Sequence, residues 1–278
     1  MPGEAAPSCS ALHRDAPLAG TAPRQTTWLV VECPKPWASK VELSSGFPPE
    51  VREQHDWLKG KASYGMFARV PTGREPRVLV YRFESERALE ASCPVSAAPD
   101  WMESALKGPP LGVPAEPCLY VCTHGSRDSC CGKLGVPLAQ AARAAGLRVV
   151  HECSHLGGHR FAPTVLLLPE WRMYGRVPGS AVVELLEGRL PTGFLRGSCY
   201  LEPVLQVAQP AIEAAFGQTV QRLELVEPDV VRAESRFGEV RTFRAAVTAE
   251  KKHAPLSCGD AEGGDYTEYR LESLAALS

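Results

Sequence analysis

The sequence predicts an α/β protein built in two halves, residues 1–110 and 111–278. Three observations carry the prediction. Short apolar runs with β-branched and aromatic residues recur along the chain, the pattern of buried strands. Between Cys118 and Cys153 the order reads strand, polar loop, helix, strand, the signature of a βαβ unit with parallel strands. Gly108-Pro109-Pro110 interrupts the pattern between the halves and sets the boundary.

The elements follow in order. The start, to about Gly20, is rich in Pro, Ala and Ser and is expected to be a mobile arm. Thr27–Glu32 and Arg77–Phe83 read as strands, and Pro48–Gly60 between them has mixed helical character. In the second half Cys118–Cys122 is a strand and Thr123–Gly135 a polar loop. Leu138, Ala142 and Ala145 then fall on one helix face, with Pro137 suited to the first turn and Gly146 to the position after the last. Leu147–Cys153 and Thr164–Leu168 are further strands. Leu201–Phe216 is helical in pattern, kinked or broken at Pro210 and closed by Gly217. Val230–Val247 reads as a hairpin, and the polar tail from Lys251 is expected to be partly disordered. No internal repeat is visible in the sequence.

Composition removes several classes. The 278 residues suffice for a sizeable core, and at roughly 100–200 residues per domain they suggest two domains. Thirty Lys and Arg against 32 Asp and Glu give a net charge of -2, which argues against a nucleic-acid face or a polybasic membrane patch. The first thirty residues hold no apolar signal core, and no run approaches the ~18–20 apolar residues of a membrane span. The expected location is therefore the cytoplasm. There the ten cysteines read as core residues, metal ligands or redox groups rather than as a disulfide framework.

Between Cys122 and His159 the chain gathers Cys122, Cys130, Cys131, Cys153, His124, His151, His155 and His159. Two pairs stand out: Cys122 with Cys131, a C-x8-C spacing, and His155 with His159 around Gly157-Gly158. Both lie in loops after the C-terminal ends of neighbouring strands, the edge where open α/β sheets assemble their sites. Two thiolates and two imidazoles suit a tetrahedral zinc or a mixed-ligand iron–sulfur cluster. The plain alternative for each histidine is a turn residue bonded to backbone. The Gly-Gly between them, however, lets the chain wrap tightly and bring both rings to one point. His124 and His151 are weaker candidates. Vicinal Cys130 and Cys131 cannot both reach one metal, so one of them is a bystander. Cys118, Cys153 and Cys199 sit in apolar runs and read as core residues. Cys9, Cys33, Cys93 and Cys258 are scattered and receive no role.

At these residues the chain resembles the sucrase/ferredoxin-like family, whose fungal members are thioredoxin-like [2Fe-2S] proteins. The resemblance rests on C-T-H-G-S-R-D-S-C-C-G, which contains Cys122 and Cys131, and on H-L-G-G-H-R-F-A from His155 to Ala162. Weaker matches are Gly20-Thr21-Ala22, Trp28 to Glu32, Trp37 and Arg196-Gly197. It spans residues 17–220 or thereabouts and contributes little to the last sixty. It implies a thioredoxin-like ferredoxin domain with one [2Fe-2S] cluster on Cys122, Cys131, His155 and His159, with Cys130 as the competitor of Cys131. The first half would then be a second α/β unit, on one reading a degenerate copy of the same fold without a ligand set.

The chemistry agrees with that implication. Neutral imidazoles in place of two thiolates make a diiron cluster less negative and easier to reduce, by roughly a few hundred millivolts against all-cysteine plant-type clusters. Each ligating ring keeps a second nitrogen able to couple reduction to a proton. The expected role is a redox carrier served by a separate reductase or acceptor protein. No G-x-G-x-x-G fingerprint for a nicotinamide or flavin is present, and no pair of carboxylates supports a sucrase. Arg127, Asp128, Lys133 and Arg160 are charged neighbours that tune the site or merely solvate a loop. A structural Cys2His2 zinc domain is the main alternative. A thiol–disulfide oxidoreductase is weaker, because no C-x-x-C opens a helix.

Overall fold

The computed structural model describes residues 7–109, 111–187, 189, 192–260 and 262–277. The first half runs α1 (Cys9–Leu12), β1 (Thr27–Glu32), α2 (Pro49–Leu58), β2 (Gly65–Arg69), β3 (Arg77–Glu84), β4 (Arg87–Pro94) and α3 (Ala98–Lys107), and just past the expected boundary β5 (Val113–Pro114) pairs back with β4. The second runs β6 (Cys118–Cys122), α4 (Ser129–Ala144), β7 (Val150–Cys153), β8 (Val165–Leu168), β9 (Arg172–Tyr174), α5 (Val182–Leu186), β10 (Leu195–Ser198) and α6 (Pro203–Phe216). A C-terminal set follows, β11 (Val220–Glu227), β12 (Val230–Ser235), β13 (Val240–Ala254) and β14 (Gly264–Ala276).

The chain is mixed α/β, with a ten-stranded mixed sheet in the order β10-β9-β8-β6-β7-β2-β1-β3-β4-β5 and a separate antiparallel sheet of β11 to β14. One pattern occurs twice. β1 pairs parallel with β2 and antiparallel with β3, which pairs antiparallel with β4. In the same way β6 pairs parallel with β7 and antiparallel with β8, which pairs antiparallel with β9. A helix joins the parallel strands each time, α2 in the first copy and α4 in the second. The two copies meet edge to edge where Arg69 of β2 opposes Cys153 of β7. Pro110, on which the expected boundary falls, lies outside the described residues.

Alternation along the strands divides the core. Leu119 and Val121 of β6 pack under Leu138 and Ala142 of α4 and Leu185 of α5. Leu29, Val31 and Val80 pack under Val51 of α2 and Met102 of α3. The opposite face joins both copies in one cluster that runs from Trp28, Phe67 and Tyr81 through Tyr120 and Cys122 to Leu166, Trp171 and Met173. At ~1.5–3 kcal/mol for each fully buried large apolar side chain, these faces dominate the stability of the sheet. α6 covers the second sheet through Leu205, Ile212, Val231 and Phe243.

A buried polar network holds the seam. Arg69 donates to Glu32 Oε1 through Nη2 at 2.8 Å and Nε at 3.1 Å, and to the Tyr120 hydroxyl at 3.2 Å. Tyr120 and Tyr81 hydroxyls lie 2.9 Å apart, and the Arg77 backbone N–H reaches Glu32 Oε2 at 3.1 Å. Glu32 and Arg69 are both buried. Glu32→Ala would strand the guanidinium, and a loss of about 3–5 kcal/mol is expected, read as a lowered urea midpoint.

The structure departs from sequence expectation in four places. α4 begins at Ser129, inside the stretch read as loop, so Cys130 and Cys131 occupy its first turn; the cause is Asp128, whose side chain accepts from the Cys130 N–H as an N-cap. Pro137 therefore sits inside the helix rather than in its first turn. Within the expected arm, Cys9–Leu12 is helical and Cys9 is buried. The polar tail is folded, because β13 runs far past Val247 and pairs with β14 from Phe243↔Ala276 to Ala254↔Gly264. No described helix is long and apolar enough to cross a membrane.

Candidate metal centre

β6 and β7 end side by side, with Cys122 and Cys153 as register partners. Two glycines then let α4 close down on the end of β6. A Cβ on Gly135 would overlap the Cys122 carbonyl oxygen, and Gly132 packs against Gly125. The result turns the Cys131 thiol toward Cys122. Ligand atoms of Cys122, Cys131 and His155 all lie within 4.8 Å of one another.

The histidine loop is bent by consecutive left-handed residues, Gly157 at φ +86° and Gly158 at φ +74°, a conformation open to glycine at little cost. It packs the rings of His155 and His159 together, tilted by 34°, with centroids 4.9 Å apart. His159 begins a short 3-10 turn, His159–Phe161, and its Nε2 is 3.8 Å from Asp128 Oδ2. The Nδ1 atoms of both rings are buried and have no hydrogen-bond partner among the described residues. Buried imidazole nitrogens without partners are costly unless something else takes them up. A metal would.

Electrostatics single out Cys122. A hydrogen bond from the Cys131 thiol, assisted by His155, holds Cys122 well below the ordinary thiol range despite complete burial. The same bond, with burial, pushes Cys131 up. Burial, then the neighbouring His155, pulls His159 down, which keeps its ring neutral and able to ligate.

Other histidines and cysteines take different places. His124 Nδ1 accepts the His155 backbone N–H at 3.2 Å, so Nε2 carries the proton and donates to the Ala38 carbonyl at 2.8 Å. It orients the loop with both nitrogens engaged. His151 sits beside its register partner Tyr120 on the neighbouring strand, ring centroids 5.4 Å apart, and burial followed by Arg69 brings it down to about 4. Cys33, Cys93, Cys118, Cys153 and Cys199 are buried in apolar clusters. Cys130, one residue from Cys131, points away from this group and lies 3.6 Å from Cys9 and 3.3 Å from Cys258, sulfur to sulfur.

In the sequence Arg196 carries only a weak motif signal. It is 2 % exposed and ties the histidine loop to the N-terminal turn. Nη1 donates to the Gly157 carbonyl at 2.9 Å and Nε to Thr21 Oγ1 at 3.0 Å, while Nη2 reaches the Thr21 carbonyl. A Cβ on Gly158 would overlap its guanidinium. The acceptors are neutral, and burial lowers Arg196 to about 10, opposed by Cys199, Cys122 and Cys131. Arg127 and Lys133 are exposed, whereas Arg160 stacks on Phe161 and Tyr266. Asp128 is buried and takes backbone N–H groups on both oxygens, from Cys130 at 2.8 Å and Cys258 at 2.7 Å.

A buried cysteine–histidine group at the C-terminal edge of parallel strands defines an α/β protein with a candidate metal centre. The family model described as sucrase/ferredoxin-like matches residues 18–197, and the chain belongs to that family. No curated protein and no solved structure matches it.

Proposed function

We propose that the protein is an electron carrier whose second half is a thioredoxin-like ferredoxin unit with one [2Fe-2S] cluster on Cys122, Cys131, His155 and His159. The observation that carries this reading is the convergence of two buried thiols with the His155 imidazole, against which the His159 ring packs, the Nδ1 atoms of both rings having no partner among the described residues. Membership of a ferredoxin-like family favours iron and sulfide over a bare zinc ion. The strand order β7-β6-β8-β9, with a helix between the parallel pair, supports the thioredoxin-like assignment. Its recurrence as β2-β1-β3-β4 supports a first half that is a copy serving as scaffold.

Bound there, the cluster would supply a one-electron couple. The chain's own part is to hold, insulate and expose. Cys122 and Cys131 are sealed in the core, which excludes water from the thiolates. His155 and His159 are less completely buried than the thiols, His159 with 13 % of its side chain exposed, so a docking redox protein, reductase or acceptor, would approach on the imidazole side. Neutral imidazoles lower the negative charge, and the buried Arg196 cation favours the electron further. We place this carrier in the cytoplasm.

The two vicinal cysteines provide the test. Cys131→Ala is expected to lose iron and visible colour, and Cys130→Ala to keep both in full. Loss of colour in the Cys130 variant alone would reverse the ligand assignment, and full retention in both would remove the cysteine pair from the reading.

A further inference from the structure

Cys9, Cys130 and Cys258 come from the N-terminal helix, the first turn of α4 and the connection between β13 and β14. Their sulfurs nevertheless form a near-regular triangle with sides of 3.3, 3.6 and 3.6 Å. Asp128 lies against it, with each carboxylate oxygen 3.7 Å from Cys9 Sγ. Zinc–thiolate bonds of ~2.3 Å imply sulfur–sulfur edges of ~3.8 Å in a tetrahedron, close to this triangle. A disulfide would need one pair to contract to ~2.05 Å and would leave the third thiol over.

We propose that these three thiolates, with Asp128 as the oxygen donor, form a second metal site that binds one zinc ion. Cys9 and Cys258 lie outside residues 18–197, so this site is an addition to the family's matched core. The surroundings suit such a clasp. Among the described residues, these segments share a small apolar cluster of Cys9, Cys130 and Ala162 with Cys258 against it. Around it, the segments are held by polar contacts: His13 Nε2 to the Pro255 carbonyl at 3.0 Å, and Arg176 Nη2 to the Ala16 carbonyl at 2.8 Å. The N-terminus of α4 favours anionic sulfur on Cys130. Binding would release the thiol protons to solvent and cross-link the N-terminal helix and the β13–β14 connection to the helix that also carries Cys131. The proposal stands apart from the cluster reading, since it shares no ligand with it.

The test uses the full chain purified anaerobically from zinc-replete cells, with metals counted by mass spectrometry. About one zinc per chain is expected. Cys9→Ser and Cys258→Ser should each lower zinc at least tenfold while iron, sulfide and visible spectrum stay unchanged. Zinc X-ray absorption of the unaltered protein, which needs no variant to fold, should fit three sulfurs and one oxygen. Zinc no higher in the unaltered protein than in the variants would overturn the site. So would a disulfide among these three cysteines, or a fit with two sulfurs and two nitrogens; the last would place zinc on Cys122, Cys131 and the histidines instead.

Discussion

Cys122→Ser is expected to abolish the [2Fe-2S] cluster, with iron and acid-labile sulfide falling from about two each per chain to background. The substitution is nearly isosteric, so the strand end and the close approach of Gly135 to the Cys122 backbone persist, and circular dichroism should be unchanged. What disappears is a thiolate. Cys122 is the sulfur that the site itself holds low, through Cys131 and His155, and a buried hydroxyl has no comparable route to an anion at neutral pH. A Cys122→Ser protein with full iron content and unaltered visible spectrum would exclude this residue as a ligand.

The second large effect belongs to Arg196. Arg196→Met removes the cation and leaves the Gly157 and Thr21 carbonyls without their donors. Two part-buried acceptors left unpaired, at ~1–3 kcal/mol each, give an expected loss of about 2–6 kcal/mol in urea unfolding. The histidine loop should loosen and cluster occupancy fall. In the fraction that retains the cluster, the reduction potential should drop by on the order of tens of millivolts, because a buried positive charge that favours the electron is gone. Arg196→Lys keeps the charge but cannot reproduce the fork of donors, and it should recover potential more than stability. Equal recovery of both would mean that the charge alone, and not the fork of donors, holds the histidine loop.

Much of the site is legible in the sequence for a simple reason. Cys122 and Cys131, and His155 and His159, are close in sequence, are ligand types, and sit where a βαβ unit delivers its loops, so spacing permits their convergence, while the choice of these four over their neighbours comes from the family resemblance; the structure brings Cys122, Cys131 and His155 within 4.8 Å of one another. The strand at Thr27–Glu32, the helix ending at Gly217 and the hairpin around Val230 carry ordinary periodic and turn signals. The start of α4 was readable in principle, since Asp128 stands directly before Ser-Cys-Cys, but Gly132, Gly135 and Pro137 mask helical character. Those glycines are there for close packing, a tertiary demand that propensity cannot express. Cys9 and Cys258 are separated by 249 positions, and no local pattern links them. The β13–β14 hairpin reads as a disordered tail because charges such as Lys252 and Glu268, 3.2 Å apart across the strands, replace apolar alternation.

The central claim is the cluster itself, and the most direct measurement is iron and acid-labile sulfide per chain on anaerobically purified protein, with the visible spectrum recorded on the same sample. Two irons, two sulfides and a red-brown protein that bleaches on one-electron reduction are the predicted result. A folded, colourless protein without sulfide, and with zinc bound by Cys122, Cys131, His155 and His159, would contradict it.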